Sequence, residues 1–195
     1  MSRTAHVDRT TAETSVQIAL NLDGQGSSSI DTNVGFFDHM LDALFRHALL
    51  DGEVSVTGDT NVDDHHTVED TGIALGSAIA RALGDRAGIR RFGDATVPLD
   101  EALVQASIDI SGRGQLYWDV EIAPAKVGTF DTELAQEFFA GFARNAGITL
   151  HVRLLCGTNA HHIIEACFKA VARALRQACE DDPRVAGVPS TKGVL

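Results

Sequence analysis

The chain has 195 residues, 44% of them hydrophobic and 22% charged, with a formal net charge of −11. Such a composition fits one globular domain or two small halves, and its negative sign argues against nucleic acid and anionic membranes as partners while leaving room for an anionic small ligand held by a local basic cluster. No run approaches the roughly 18 apolar residues that a membrane span needs, residues 1–14 are polar with no signal-peptide core, and Cys156, Cys167 and Cys179, odd in number and unevenly spaced, read as reduced core residues of a cytosolic protein.

Alternating apolar and polar residues predict strands over residues 5–9 and 13–22. Residues 23–26 read as a hairpin turn and 27–32 as its return strand. After Gly35 a helix is expected over 36–45, with Phe36, Met40, Leu41 and Leu44 on one face. Residues 52–57 form another alternating strand, and a helix follows over 64–83, opened by acidic residues and buried along Val68, Leu75, Ile79 and Ala82. A basic loop over 84–93 carries Arg86, Arg90 and Arg91. Three strands are predicted over 95–99, 102–111 and 115–122, with Arg113 in the turn between the last two. A helix over 131–145 with Gly147 as its C-cap, a strand over 149–156, and a helix capped by Asn159 and running through Cys179 complete the order. Residues 183–195 form an irregular tail ending in PSTKGVL, short and free of buried periodicity, as expected of a segment that orders over a ligand.

Two stretches stand out. His65, His66 and Glu69 recur as His161, His162 and Glu165, each residue 96 positions on, and each set opens an apolar helix. At spacings of three and four, a histidine and the carboxylate share one helix face and can reach one ion. A single HHxxE is often no more than a solvated helix start; the identical repeat argues for a shared task. The 96-residue offset also carries Val56 onto Val152, Leu75 onto Val171 and Ile79 onto Leu175. The chain therefore reads as an internal duplication, with halves at about 5–93 and 94–182 within a single domain spanning 1–195.

Adding His39 gives a set of nitrogen and oxygen donors with no thiolate. Such a set suits Mn²⁺, Fe²⁺ or catalytic Zn²⁺ rather than a structural zinc site. If the halves pack about a pseudo-twofold axis, each ion can take one histidine from each pair and one carboxylate from Glu69 or Glu165; the same relation can hold between subunits. Lys169, one turn beyond Glu165, extends this face with a cation suited to phosphate. Glu137 precedes His161 much as His39 precedes His65, so a carboxylate stands where an imidazole ligand is expected. His6 and His47 read as surface or packing residues, and His151 as a structural strand residue.

The motifs FFDHML, DDHHTVEDTGIALG, RRFGDA, PLDEAL, ISGR, HHIIEACFKAVARALRQA and PSTKGVL, spread over essentially the whole chain, closely resemble the imidazoleglycerol-phosphate dehydratases of histidine biosynthesis. The resemblance implies a duplicated α+β fold, each half a four-stranded sheet backed by two helices, and two Mn²⁺ per active site. It implies a cytoplasmic homo-oligomer of 24 subunits built from trimers, with sites at subunit interfaces. The family's metal ligands match His39, His65, His66, Glu69, His161, His162 and Glu165. Its phosphate-binding positions match Arg91, Arg113, Lys169, Ser190 and Lys192, and its N-terminal substrate-contacting glutamate matches Glu13. The chain departs from it at Glu137, where the family often has histidine, and at Ala43, where it often has glutamine.

The implied reaction converts imidazole glycerol phosphate to imidazole acetol phosphate. A neutral imidazole expels the hydroxyl on its attached carbon poorly, whereas an imidazolate stabilised by two Lewis acids expels it readily. The neighbouring C–H then becomes acidic and a carboxylate removes it. The catalytic carboxylates are expected among Glu165, Glu13 and Glu69, with either Glu165 or Glu13 as the base. The alternative is a dinuclear metallohydrolase acting on a phosphorylated small molecule with the same ligands. A metal-storage role leaves the basic residues unexplained.

Overall fold

The computed structural model describes residues 3–195. Its first half runs β1 (Thr4–Thr10), β2 (Thr14–Asn21), β3 (Ser28–Asp31), α1 (Gly35–Ala48), β4 (Asp51–Gly58) and α2 (His65–Leu83). The second runs β5 (Phe92–Leu99), β6 (Ala102–Asp109), β7 (Gln115–Asp119), β8 (Lys126–Val127), β9 (Phe130–Asp131), α3 (Leu134–Ala146), β10 (Thr149–Cys156) and α4 (Ala160–Cys179). Apart from the small β8–β9 hairpin, the second half repeats the order of the first.

The two four-stranded sheets have the same topology, β1-β2-β4-β3 and β5-β6-β10-β7. In each, two antiparallel pairings are followed by one parallel pairing, β3 on β4 and β7 on β10. Registers agree as well: Val16 faces Val56 and Ile18 faces Val54 in one sheet, Ala106 faces Val152 and Ile108 faces Leu150 in the other. The period-2 alternation buries these residues on one sheet face and leaves Ser15 and Gln17 outward. β3 is thus not the return strand of a hairpin with β2. It joins the far edge through β4, with Ile30 opposite Val54, because α1 carries the chain across as a parallel pairing requires.

The helices lie between the sheets: α2 packs on β1 and β2, α4 on β5 and β6. Across the halves, α1 packs on α4 and α2 on α3, so one continuous apolar core spans both. The inward residue of the first phenylalanine pair is Phe37, not Phe36. Phe37, Phe130, Phe138, Phe139, Phe142 and Phe168 are fully buried, and the β8–β9 hairpin serves to bring Phe130 against Phe36 and Phe37.

The two helix crossings differ. A Cβ added at Gly72 would lie 2.4 Å from the Phe138 carbonyl oxygen, and one at Gly76 2.4 Å from that of Phe142, so α2 and α3 meet backbone to backbone. The positions 96 residues on, in α4, are Phe168 and Ala172. α1 and α3 end alike, with left-handed caps at Leu49 and Gly147 whose N–H groups reach Phe45 and Ala143 carbonyls.

Cys167 and Cys179 are buried, and burial pushes both thiols well above the ordinary range, Cys179 to about 12. Cys156 is exposed near the end of β10 and is not a core residue. The tail is tied down: Gly88 N–H donates to the Gly187 carbonyl, Asp182 N–H to the Gly88 carbonyl, and Arg90 N–H to the Glu180 carbonyl. Among the described residues no helix is long and apolar enough to cross a membrane.

Candidate metal and substrate site

The paired histidines sit where α2 and α4 begin. At α4 the Asn159 Oδ1 accepts from His162 N–H at 3.3 Å, as an N-cap should. At α2 the Asp64 side chain makes no cap; Asp63 Oδ1 accepts from His65 N–H at 2.8 Å instead. Each helix then sets a histidine and glutamate four apart on one face: His65 Nε2 is 3.7 Å from Glu69 Oε2, and His161 Nε2 is 3.1 Å from Glu165 Oε2.

Because α1 packs on α4, His39 joins the second set, with its Nε2 3.4 Å from Glu165 Oε2. Ligand atoms of His39, His161 and Glu165 lie within 4.8 Å of one another. Phe36 backs His161 edge-on at 5.2 Å. Burial raises the Glu165 pKa, but Lys169, His39 and His161 together hold it below the ordinary carboxylate value. Two imidazoles and an ionised carboxylate, with no sulfur, suit Mn²⁺, Fe²⁺ or Zn²⁺, so the residues fit the metal expected.

The other donors are not drawn into this triad. His66 Nδ1 lies 3.1 Å from Asp59, and its Nε2 lies 3.9 Å from Glu13. His162 Nδ1 lies 2.6 Å from Glu101 Oε2, and its Nε2 lies 3.6 Å from Asp100. Donating a hydrogen bond to the Asp59 carboxylate raises the His66 pKa, and donating one to Glu101 raises the His162 pKa. Conversely His162, with the Asn159 and Thr158 backbone N–H groups, lowers Glu101 to about 2. Glu137 lies in the first turn of α3, ten residues before the Gly147 cap, just as His39 lies ten before Leu49. α3 passes α2 near Glu69, whose carbonyl oxygen would stand 3.1 Å from a Cβ at Gly141. Glu137 therefore holds on α3, which packs on the α2 of Glu69, the place that His39 holds on α1, which packs on the α4 of Glu165.

Glu13 stands in the β1–β2 turn, where Thr11 Oγ1 accepts from its N–H at 3.1 Å. The basic residues divide into two groups. Lys169 Nζ lies 2.6 Å from Glu165 Oε1, on the carboxylate shared with His39 and His161. Arg91, in a left-handed conformation with φ of 71°, holds Asp109 through Nε at 2.7 Å and donates through Nη1 to the Pro189 carbonyl at 2.8 Å. Arg113 Nη2 approaches the same Asp109 at 3.7 Å. Ser190 follows Pro189, and its Oγ accepts from Lys192 N–H at 3.2 Å. The Arg91 and Arg113 side chains thus meet at Asp109, with Ser190 and Lys192 following the Pro189 that Arg91 holds, and Arg91 N–H donates to the Ala178 carbonyl at the C-terminal end of α4. Lys169 lies nine residues earlier on α4, about 14 Å away at 1.5 Å per residue.

Asp59, Asp100, Glu101 and Asp109 have no counterpart in the sequence reading. Glu101 lies inside PLDEAL, but nothing in its spacing links it to a histidine 61 residues later.

A sequence model of the family described as imidazoleglycerol-phosphate dehydratase matches residues 32–175. The chain is 60% identical to the imidazoleglycerol-phosphate dehydratase of Granulibacter bethesdensis over all of both chains. It is 58% identical to that of Ruegeria pomeroyi over 99% of this chain and all of the relative. Among solved structures, it resembles the imidazoleglycerol-phosphate dehydratase of Staphylococcus aureus (TM-score 0.84, 39% identity, 92% of this chain and 99% of that one). It also resembles the Pyrococcus furiosus enzyme in complex with (S)-C348 (TM-score 0.84, 40% identity, 97% of this chain and all of that one).

Proposed function

The chain belongs to the imidazoleglycerol-phosphate dehydratase family, and on that premise we propose that it removes water from imidazole glycerol phosphate at a centre of two Mn²⁺ ions completed between copies of the chain. Membership makes it a hydro-lyase of histidine biosynthesis. The observation that carries the metal reading is the His39–His161–Glu165 triad, with its ligand atoms within 4.8 Å and Lys169 on its carboxylate.

His39, His161 and Glu165 would hold one ion; His65, His66, Glu69, His162 and Glu137 supply the remaining donors. Bound there, the ions would supply Lewis acidity to the imidazole ring of the substrate, easing departure of the hydroxyl from the attached carbon. Arg91, Arg113, Ser190 and Lys192 form an anion cradle suited to the phosphate, and Lys169 offers a further cation beside the metal. Lys169 and the Ala178 end of α4, where Arg91 is held, are separated by a helical rise of about 14 Å, and the donors of one chain do not converge on a single triad. Both facts support a site shared between subunits of a homo-oligomer, 24 in the assembly expected of the family. As a biosynthetic enzyme of this family it is expected to act in the cytoplasm.

For the proton transfer, the geometry favours Glu13 over Glu165. Both Glu165 oxygens are engaged, one by Lys169 and the other by His39 and His161. Glu13 lies at the rim with its side chain half exposed, near the Nε2 of His66. As the hydroxyl leaves the ring-attached carbon, Glu13 takes the proton from the neighbouring carbon, and the resulting enol becomes the ketone. Product analysis after incubation with imidazole glycerol phosphate and Mn²⁺ is the test. Imidazole acetol phosphate with the phosphate retained supports the reading; release of inorganic phosphate overturns it in favour of hydrolysis.

A further inference from the structure

The duplication predicts that His66 and His162, equivalent residues 96 apart, should be held alike. They are not. His66 is held from its own connection: Asp59, immediately after β4, places both carboxylate oxygens 3.1 and 3.2 Å from Nδ1. The position 96 residues on from Asp59 is Leu155, which has no group to offer. His162 is held instead from across the sheet by Glu101, in the β5–β6 hairpin. Glu101 Oε2 lies 2.6 Å from Nδ1, while its Oε1 accepts from the N–H groups of Thr158 and Asn159 at 3.2 and 2.8 Å. One carboxylate thus ties the ring and the chain entering α4 to the same hairpin. The β1–β2 hairpin is the counterpart of β5–β6 in sheet order, and its acid is Glu13. Glu13 faces the Nε2 side of His66, at 3.9 Å, and leaves Nδ1 to Asp59.

We propose that Asp59 and Glu101 are positioning residues which keep the proton on Nδ1 of His66 and His162, so that each ring presents Nε2 as a bare donor to a metal ion. A carboxylate facing one ring nitrogen fixes the tautomer and ring orientation and increases the basicity of the other nitrogen. The two halves divide this work differently. In the second half the hairpin acid orients a histidine. In the first half Asp59 has taken that duty, and the equivalent hairpin acid, Glu13, is free to face the substrate. The division places a single free hairpin carboxylate at a site built from a twofold repeat, and so gives the substrate one base rather than two.

This inference rests on the proposed metal site, and the experiment separates the two. Glu101→Gln keeps an oxygen for the Thr158 and Asn159 N–H groups but turns an amide N–H towards Nδ1. That arrangement favours the tautomer with its proton on Nε2, where the metal should bind. At a pH above the raised folded-state pKa values of His66 and His162, where the charge pairs no longer stabilise the metal-free protein, Mn²⁺ affinity measured by competition with a chelator should fall about 10–100-fold in Glu101→Gln and in Asp59→Asn, with the metal-free melting temperature unchanged. Glu13→Gln should lose turnover and keep parental affinity. Equal Mn²⁺ affinity in parent and both positioning variants overturns this inference alone. Affinity lost only in step with a lowered metal-free melting temperature reduces Glu101 to a structural tie and also overturns it. No Mn²⁺ binding by the parent overturns the metal reading itself, and this inference with it.

Discussion

Lys169 Nζ contacts Glu165 Oε1 at 2.6 Å, one helical turn along α4, and so leaves Oε2 alone to face His39 and His161. The ammonium opposes the effect of burial, which alone would raise the pKa of this carboxylate. Burial raises the Glu165 pKa, and Lys169 leads the groups that bring it below the ordinary value. Replacing Lys169 with methionine removes that influence and lets burial prevail. The folded-state pKa should then rise, and the proton should compete with metal at higher pH. The pH midpoint for Mn²⁺ uptake should move upward in Lys169→Met and return towards the parental value in Lys169→Arg. An unmoved midpoint in Lys169→Met would contradict the role given to the pair.

The metal-free protein offers a second pH test. The His162 pKa is raised by Glu101, and that of Glu101 is lowered to about 2. The sign is fixed by both shifts. The pair's stabilising effect is lost as pH falls through about 2, where Glu101 is protonated, and as pH rises through the folded-state pKa of His162, which lies above the usual 6.5. Nuclear magnetic resonance titration of His162 without metal should give a midpoint above 6.5, brought down by Glu101→Gln. A midpoint that ignores the substitution contradicts the contact.

Gly72→Ala tests the crossing of α2, which carries Glu69, on α3, which carries Glu137. Alanine favours a helix over glycine by about 1 kcal/mol, so propensity alone predicts stabilisation. Here the added Cβ would stand 2.4 Å from a backbone carbonyl oxygen that cannot turn aside. The steric term should win, with a net loss of about 1–3 kcal/mol in denaturant unfolding. A stability gain would mean that α2 and α3 are not in backbone contact.

How much of this was legible in the sequence differs from element to element. The repeated HHxxE, the strand alternation and the Asn159 cap were readable because each is a local pattern tied to a 2.0 or 3.6 residue period. The pairing of β3 with β4 was not, since a short alternating segment has the same period whichever neighbour it joins. The β8–β9 hairpin was missed because its strands have two residues each and no period at all. The split of the basic residues between the middle of α4 and its C-terminal end, and the grip of Asp59 and Glu101 on two imidazoles, depend on contacts between distant segments that no spacing encodes.

Glu137 occupies on α3 the position of His39 on α1, and we expect it to contribute a carboxylate ligand beside Glu69. Glu137→Ala should retain fewer ions per chain after dialysis against a weak chelator, and Glu137→His should restore them. Full retention by Glu137→Ala removes the residue from the ligand set.

Arg91 holds the tail through the Pro189 carbonyl, just ahead of Ser190 and Lys192. Truncation after Pro189 keeps that hydrogen bond and deletes both polar groups. KM should rise at least tenfold while metal content stays at the parental level. An unchanged KM would place the phosphate elsewhere.

The central claim is that a metal centre built on His39, His161 and Glu165 performs the dehydration. The most direct measurement is a titration of chelator-stripped enzyme with Mn²⁺, following turnover of imidazole glycerol phosphate and bound metal together. Turnover should be negligible without metal, rise with occupancy, reach its plateau at two ions per site, and fail to rise in Glu165→Gln. Parental turnover by the stripped enzyme, or by Glu165→Gln without bound metal, would contradict it.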